Sequence, residues 1–363
     1  MKEVVFVTNT SWYAYNFYKE MISFFIGESI KVCVVSPDDE FFSLLNDLGA
    51  STQLINFDRK GLNPINDLVF SFNLIRFYKR LKPDFVFNFT IKPNVWSGFV
   101  CGLLKIPYVN TVSGMGSSFI SGGVVKHLTS FLYRLGCNKA IDNIVMNQDD
   151  FRQLCDLLPK DKNVNSIAGT GIDLNFFKPS LSNTKNRRKF LFVGRLLEDK
   201  GVNELLEAFN IIDESNITLD ILGDFDEGNP SAISKDLFLS KVSNNDKIYY
   251  HGYQSDVINY IEEASFVVLP SYREGLPRVL MESLAMGKPI LASNVPGCKD
   301  LVNVNTGFSF DAKSPLSLKD AILKAIHLDD KKYNSLSLTA RSYAVENLDQ
   351  EKVISHYYSY LNY

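Results

Sequence analysis

The chain alternates between two kinds of segment along nearly its whole length, and it does so in two series. Short runs of apolar or β-branched residues, typical of buried strands, are separated by longer segments with the spacing of amphipathic helices. Parallel neighbours in a sheet need a crossover between them, and a helix is the usual crossover. The alternation therefore predicts α/β domains built on parallel sheets.

The first series predicts one doubly wound domain, and a polar stretch at 178–188 predicts a linker to the second. The expected strands of the first series are 3–8, 30–36, 84–89, 108–112 and 143–147, with helices at 17–25, 41–48, 67–81, 95–104 and 124–135. The second series has expected strands at 189–193, 217–222, 247–251, 266–270 and 289–293, with helices at 202–213, 256–264 and 279–286.

We therefore predict a first domain at 1–178, a second at 179–345, and a C-terminal helix at 346–363 that packs back on the first domain. Both domains are expected to be Rossmann-like. In such domains ligands bind at the carboxyl ends of the strands.

Composition and cysteine usage limit the class of protein. The chain is 45% hydrophobic and 22% charged over 363 residues, as in a globular protein with sizeable cores. No apolar run reaches the roughly 18 residues that a membrane-spanning helix needs. The start has no signal-peptide pattern, and the five cysteines are scattered without a CxxC pair. We expect reduced thiols, a cytoplasmic location and no metal site.

Positive charge is concentrated in one part of the first domain. Eleven Lys and Arg residues against two acidic ones lie between Arg59 and Lys139, a local net charge of +9 in a chain of net charge −3. Such a block suggests a surface for phosphate or anionic lipid, and a solvated face without a partner is the alternative. No nucleic-acid partner is expected.

The most informative motif joins two carboxylates. Glu274 stands at a Gly-Pro turn, and Glu282 follows eight positions later inside the next predicted helix. A helix N-terminus attracts phosphate, and a carboxylate accepts hydrogen bonds from the vicinal hydroxyls of a sugar. Together these features predict a pocket for a sugar nucleotide.

Two cations follow a strand end in the same predicted domain. Arg195 and Lys200 lie in the loop that Gly194 opens, and they offer a planar fork and a compact ammonium. The pair suits a diphosphate, although an ordinary charged surface loop would look the same. Gly252 and Tyr253 follow another strand end, where a glycine brings backbone close to a ligand or merely turns the chain.

Three segments of the first domain are candidates for ligand contact. The Gly/Ser-rich loop around Gly114 resembles a nest for an anion or a hydroxyl-rich ligand. Lys92, after the third expected strand, is expected to point into a cleft, and Trp12 is placed in the first loop. The helix at 124–135 is amphipathic, with Val124, Leu128, Phe131 and Leu135 on one face. We expect this face to pack on its own core, with a membrane-surface helix as the alternative.

These motifs resemble those of a known family. Arg195–x4–Lys200 with Glu274-Gly-Leu-Pro and Glu282 is similar to the retaining GT-B glycosyltransferases of family 4, whose two Rossmann-like domains face each other across a cleft. The first domain, at 89–94 and 111–116, is similar to bacterial enzymes that extend undecaprenyl-diphosphate-linked sugars in O-antigen, capsule or glycan assembly. Many of these use UDP-N-acetylhexosamines.

The resemblance implies a role for each matching residue. Arg195 and Lys200 would hold the donor diphosphate, Glu282 the ribose hydroxyls and Glu274 the donor sugar. The backbone at Gly275, Leu276 and Pro277 would lie beside the sugar and phosphate. Gly114 would approach the donor from the first domain. No cofactor or metal is implied, since cations of the protein stabilise the leaving diphosphate.

The chain departs from the family at two places. The glycine pair of the first loop is absent, and so is the histidine that many members place in the first-domain cleft. Thr90 and Lys92 occupy that neighbourhood, and we expect Lys92 to assist at the reacting centre.

The predicted function is that of a hexosyltransferase that moves a sugar, with retention, from a UDP-sugar to an undecaprenyl-diphosphate-linked saccharide. The place of action is the cytoplasm or the inner face of the plasma membrane. Two alternatives remain: a UDP-sugar 2-epimerase on the same two-domain plan, and a sugar-nucleotide-binding protein without catalysis.

Overall fold

A computed structural model describes residues 1–58, 63–115, 124–180, 187–303 and 305–362. The chain divides into two compact units. The first contains Met1–Thr170 and Lys352–Tyr363, and the second contains Gly171–Glu351. The boundary differs from the one predicted after residue 178, because the segment from Gly171 is held within the second unit. There Ile172 pairs with Asp349, and the Arg341 guanidinium donates to the Leu174 and Phe177 carbonyls at 3.1 and 2.9 Å.

A seven-stranded parallel sheet forms the centre of the first unit, in the order β3-β2-β1-β4-β5-β6-β7. The strands are β1 Glu3–Val7, β2 Lys31–Ser36, β3 Ser51–Leu54, β4 Phe85–Phe89, β5 Tyr108–Val112, β6 Asp142–Val145 and β7 Val164–Ser166. The order reverses between β1 and β4, which makes the gap at their carboxyl ends the expected ligand position. Both faces of β1 and β4 are buried, which explains their continuous apolar sequences.

Helices cover both faces of this sheet. They are α1 Ser11–Gly27, α2 Phe42–Asp47, α3 Pro64–Leu81, α4 Gly98–Leu104, α5 Val124–Cys137 and α6 Gln148–Leu157, with a π-helical turn at Pro93–Ser97 before α4. One core contains α1 side chains, a second contains α3 and α4 side chains, and a third contains α5 and α6 side chains. The C-terminal helix α13 Gln350–Ser359 packs into the α1 core, and its Tyr357 hydroxyl bonds to the Thr111 hydroxyl at 2.8 Å.

Helices α1 and α5 of the first unit differ from expectation. Helix α1 begins at Ser11 and takes in Trp12, because the Thr10 hydroxyl caps it by accepting from the Tyr13 amide at 3.0 Å. The predicted packing face of α5 is also wrong. Leu128 and Phe131 are exposed, whereas Tyr133 and Cys137 of the same helix are fully buried.

A six-stranded parallel sheet forms the second unit, in the order β10-β9-β8-β11-β12-β13. The strands are β8 Lys189–Val193, β9 Thr218–Leu222, β10 Ile248–Tyr250, β11 Phe266–Leu269, β12 Ile290–Ser293 and β13 Gly307–Phe310. The helices are α7 Val202–Ile211, α8 Lys235–Ser243, α9 Ile258–Glu263, α10 Arg278–Ala285, α11 Pro315–Ile326 and α12 Asp330–Asn347. Here the order reverses between β8 and β11.

The two sheets confirm the predicted pair of Rossmann-like α/β domains. No helix in the described ranges has the length and apolarity to cross a bilayer.

Candidate active site

A row of glycines lies along the carboxyl edge of β8, β9 and β10. The Gly194 amide donates to the Leu222 carbonyl at 3.0 Å, and the Gly223 amide donates to the Gly252 carbonyl at 2.8 Å. Gly223 has a φ of +149°, and a Cβ there would lie 1.8 Å from the Gly194 oxygen. Only glycine fits at that position. The row therefore offers a floor of backbone on which a flat ligand can lie.

The loop from β8 to α7 crosses the point where the strand order reverses. Gly201 ends this loop with a φ of +69°, and a Cβ there would lie 2.1 Å from the Pro270 carbonyl oxygen, just after β11. Arg195 and Lys200 are thus held where the ends of β8 and β11 meet. This is the position at which open parallel sheets bind their ligands.

Lys200 and Glu274 form an ion pair across this point. The Lys200 ammonium lies 2.5 Å from Glu274 Oε1, and both side chains are largely buried. The two residues are far apart in sequence and come from loops after different strands. The structure thus brings together two residues that the motifs predicted separately.

Arg195 has a different partner from Lys200. Its guanidinium lies 2.7 Å from Asp226 Oδ2, and its side chain is 61% exposed. An exposed ion pair contributes about 0–1 kcal/mol, so an arriving anion can replace Asp226 at small cost. Asp226 was not among the predicted site residues; its signal in the sequence is an acid in the loop that follows β9.

Glu282 lies inside α10, as the motif predicts, and it is buried. Its Oε1 accepts a hydrogen bond from Arg278 Nε at 2.9 Å, one helical turn earlier. Burial raises the pKa of the Glu282 carboxyl, and the nearby guanidinium opposes that rise.

The loop before α10 contains Gly275, Leu276 and Pro277, and it is held in place by the next loop along the sheet. The Glu274 amide donates to the Pro296 carbonyl at 3.1 Å. Gly297, at a φ of +81°, approaches so closely that a Cβ would lie 2.6 Å from the Glu274 and Gly275 oxygens. Pro277 stands at the start of α10, so the backbone of this loop leads directly into the helix N-terminus.

Tyr272 is a site-adjacent residue that the sequence reasoning missed. Its amide donates to the Asp199 carbonyl at 2.8 Å, and its hydroxyl donates to Glu204 Oε1 at 2.7 Å. Burial and the Glu204 carboxylate raise its pKa. It therefore ties the loop after β11 to the loop that carries Lys200. Tyr253, in contrast, is exposed beside Gly252.

Lys92 of the first unit, which was predicted to point into a cleft, forms an ion pair with a neighbouring helix. Its ammonium lies 2.6 Å from Asp67 Oδ1 of α3, and both side chains are mostly buried. Gly114, with a φ of +138°, follows β5; the rest of the Gly/Ser-rich loop, 116–118, lies outside the described residues.

A strained polar position stands at the carboxyl end of β4. Thr90 has a φ of +74°, which is rare for a β-branched residue, and its buried hydroxyl has no hydrogen-bond partner among the described residues. Because Val7 pairs with Asn88, Asn9 comes opposite Thr90, and its buried Oδ1 is likewise unpaired within the described part. The sequence offers no sign of this strain, since threonine seldom takes this conformation.

Known proteins resemble this chain in both halves. The family model "Glycosyl transferase 4-like" matches residues 3–148, and "Glycosyl transferases group 1" matches residues 174–343. Among curated proteins, an N,N'-diacetylbacillosaminyl-diphospho-undecaprenol alpha-1,3-N-acetylgalactosaminyltransferase of Campylobacter jejuni is 29% identical over 90% of this chain and 89% of its own. An Escherichia coli UDP-Gal:alpha-D-GlcNAc-diphosphoundecaprenol alpha-1,3-galactosyltransferase is 25% identical over 80% of this chain and 78% of its own.

Among solved structures, Anabaena HepE in complex with UDP and glucose superimposes with a TM-score of 0.80 over the whole of both chains, at 16% identity. At that identity the likeness shows the fold. The family matches in both halves and the named relatives establish the class of enzyme. The chain belongs to the group 1 glycosyltransferases and is a hexosyltransferase of the GT-B fold.

Proposed function

We propose that this enzyme transfers a sugar, with retention, from a UDP-sugar to a saccharide carried on undecaprenyl diphosphate. The names of the Campylobacter jejuni and Escherichia coli relatives support the acceptor class, and the first of them supports an N-acetylhexosamine as the sugar. The observation that carries the proposal is the Lys200–Glu274 pair, which sets a cation and a hydroxyl acceptor side by side at the end of β8.

Each side chain has one task in this proposal. Lys200 and Arg195 hold the donor diphosphate, because an ammonium and a guanidinium donate charge-assisted hydrogen bonds to its oxygens. Glu274 accepts from the hydroxyls of the sugar, and Glu282 accepts from those of the ribose. The glycine row, with Gly252, allows the nucleotide to lie against backbone.

The reaction proceeds on one face of the sugar. The bond between C1 and the diphosphate oxygen breaks, and its electron pair leaves with the diphosphate. The acceptor hydroxyl bonds to C1 from the same face, and its proton passes to the departing diphosphate oxygen. Lys200 and Arg195 stabilise the charge that develops there, which makes a metal ion unnecessary in this scheme. The product linkage is α.

The test compares charge removal at the site with charge removal elsewhere in the same unit. Lys200→Ala or Arg195→Ala is expected to lower kcat by about 10²-fold or more, as loss of a transition-state donor does. Arg188→Ala is the matched control, since Arg188 pairs with Glu214 before β8 begins, at 3.0 Å. Unchanged turnover in either site variant contradicts the assignment.

The acceptor and the reaction class need a separate test. The enzyme is incubated with a panel of labelled UDP-sugars and short undecaprenyl-diphosphate acceptors. A labelled lipid-linked product with an α-linkage supports the proposal. An epimerised donor would indicate the 2-epimerase alternative, and binding without any product would indicate a sugar-nucleotide-binding protein.

Lys92 is tested against its own partner. If Lys92 assists the reaction, Lys92→Ala lowers kcat more than Asp67→Asn, although both break the same ion pair. Equal effects of the two substitutions would indicate a structural role for Lys92.

We place the reaction in the cytoplasm at the inner face of the plasma membrane, where such an acceptor presents its saccharide.

A further inference from the structure

One helix of the first unit has an apolar face that the described residues leave exposed. On α3, the exposed fractions are 66% for Ile65, 64% for Leu68, 52% for Val69 and 57% for Phe72. The spacing i, i+3, i+4, i+7 places these four residues on one face across the first turns of the helix. We call them the α3 apolar face.

The opposite face of the same helix is the one that packs on the sheet. Phe70, Leu74 and Phe77 are buried in the core that α3 shares with α4. The first half of α3 is therefore apolar on both sides. A helix of that kind is usually buried on both sides, and a contiguous exposed apolar patch commonly marks a binding surface.

The orientation of α3 is fixed by polar contacts. Asp67 lies on the buried side and pairs with Lys92, at the carboxyl end of β4, at 2.6 Å. The Ser71 hydroxyl donates to the Asp67 carbonyl at 2.9 Å within the helix. A rotation that hid the α3 apolar face would break this pair and withdraw the other apolar face from the core. Exposure of the face is thus part of the fold.

Basic side chains continue the outward side of the helix. Arg76, Lys79 and Arg80 are exposed in its second half, and the Arg76 guanidinium lies 5.8 Å from the centre of the Phe72 ring. The helix has one acidic residue, Asp67, which Lys92 neutralises. An apolar face beside cations without exposed acids is the pattern of a helix that lies on an anionic lipid surface.

A second helix of this unit also exposes apolar residues. Leu128 and Phe131 of α5 are exposed, and α3 and α5 both contact the π-helical turn Pro93–Ser97. Both helices begin at the carboxyl edge of the sheet, because each follows a strand of the parallel sheet and runs back antiparallel to it. The exposed apolar residues are therefore at the edge where a ligand of this unit is expected.

We propose that the α3 apolar face inserts into the headgroup region of an anionic membrane, with Arg76 and Lys79 on the lipid charges. A second copy of the chain fits less well. A symmetric contact between two such faces would bring the same cations together, since a two-fold interface is self-complementary. Lipid binding needs neither donor nor turnover, so this proposal and the proposed function can fail separately.

The test measures partitioning of the full chain onto vesicles by co-sedimentation. We expect binding to vesicles of phosphatidylcholine and phosphatidylglycerol in equal parts, weakened by salt, and little binding to phosphatidylcholine alone. The double variant Leu68→Gln/Phe72→Gln should lower the affinity for these vesicles by on the order of tenfold or more. Arg76→Gln/Lys79→Gln should weaken binding by roughly fivefold per charge.

The controls change equally exposed residues in the other unit. Leu338→Gln/Leu316→Gln alters two exposed leucines on α12 and α11 and should leave partitioning unchanged. All the altered side chains are exposed, so the variants are expected to keep the fold, which circular dichroism checks. Turnover with a water-soluble, short-chain acceptor should be the same in the α3 variants as in the unaltered enzyme.

Three results would overturn the proposal. The first is absence of binding to the anionic vesicles. The second is binding that the α3 double variant and its control share equally. The third is self-association, measured by analytical ultracentrifugation, that the α3 variant abolishes while vesicle binding persists, because the face would then join two copies of the chain.

Discussion

The Lys200–Glu274 pair allows stability and ligand binding to be separated by two substitutions. Glu274→Gln and Lys200→Met each remove one charge of this ion pair, whose charged atoms are 2.5 Å apart. At an effective dielectric constant of about 20, charges about 4 Å apart attract by about 4 kcal/mol, and breaking a fully buried pair costs about 3–5 kcal/mol. This pair retains some exposure. We therefore expect each substitution to destabilise the second unit by about 2 kcal/mol.

Binding of UDP should distinguish the two variants. Lys200→Met removes the cation proposed for the diphosphate, and loss of a charge-assisted hydrogen bond of about 1.5–3 kcal/mol weakens Kd by about 10- to 150-fold. Glu274→Gln leaves the ammonium in place, and UDP lacks the donor sugar that Glu274 is proposed to contact. Its Kd for UDP should stay within about threefold of the unaltered value.

The assay follows the second unit alone, because a chain of two domains need not unfold in one step. Amide hydrogen exchange of α7 reports the stability of that unit, and isothermal titration reports UDP binding. The matched control is Lys189→Met, which breaks the 2.6 Å contact with Glu263 at the other end of β8. It should leave UDP affinity unchanged. Equal loss of UDP affinity in the Glu274 and Lys200 variants would refute the reasoning, since loop geometry alone would then govern binding.

Three further results are expected. Gly223→Ala should cost about 2 kcal/mol or more because its Cβ would meet the Gly194 oxygen at 1.8 Å, whereas Gly228→Ala, with open space around it, should be nearly neutral in thermal unfolding. Burial raises the pKa of Glu282 above its ordinary value of 4.5, so the folded state binds this proton more tightly than the unfolded state. The contribution of Glu282 to the free energy of unfolding therefore falls as pH rises through the folded-state pKa. Glu282→Gln should flatten that part of a pH–stability curve. Thr90→Gly should relieve the strain at φ +74° and keep the fold, yet lower kcat/KM if the hydroxyl contacts substrate; full activity would dismiss that contact.

The sequence reveals those parts of the fold in which local pattern and burial coincide. Strands β1, β4 and β8 are continuous apolar runs because neighbouring strands and helices enclose them. The edge strands β3 and β7 were not predicted, because both are short and their residues are largely polar or exposed. A strand of this kind is defined by its pairing with a neighbour, which no local window contains.

The candidate site shows the same division. The motifs predicted Arg195, Lys200, Glu274 and Glu282 as site residues, because each residue type suits a sugar nucleotide at that spacing, and the structure places all four in the second unit. The ion-pair partners of the candidate residues could not be predicted from the sequence. Lys92 pairs with Asp67 on another helix, and Leu128 points away from the core that its helical spacing predicted, because the packed face of α5 is set by tertiary contacts.

The return of the C-terminal helix has a consequence for biosynthesis. The second unit is one continuous segment, Gly171–Glu351, and it can fold as soon as that segment has left the ribosome. The first unit cannot complete its core at that time. It still lacks α13, whose Tyr357 is fully buried and bonded to Thr111. It also lacks Tyr360, which directly follows α13 and whose hydroxyl donates to Asp142 of β6. The half of the enzyme that is synthesised first is therefore completed only after the second unit and α13 have been synthesised.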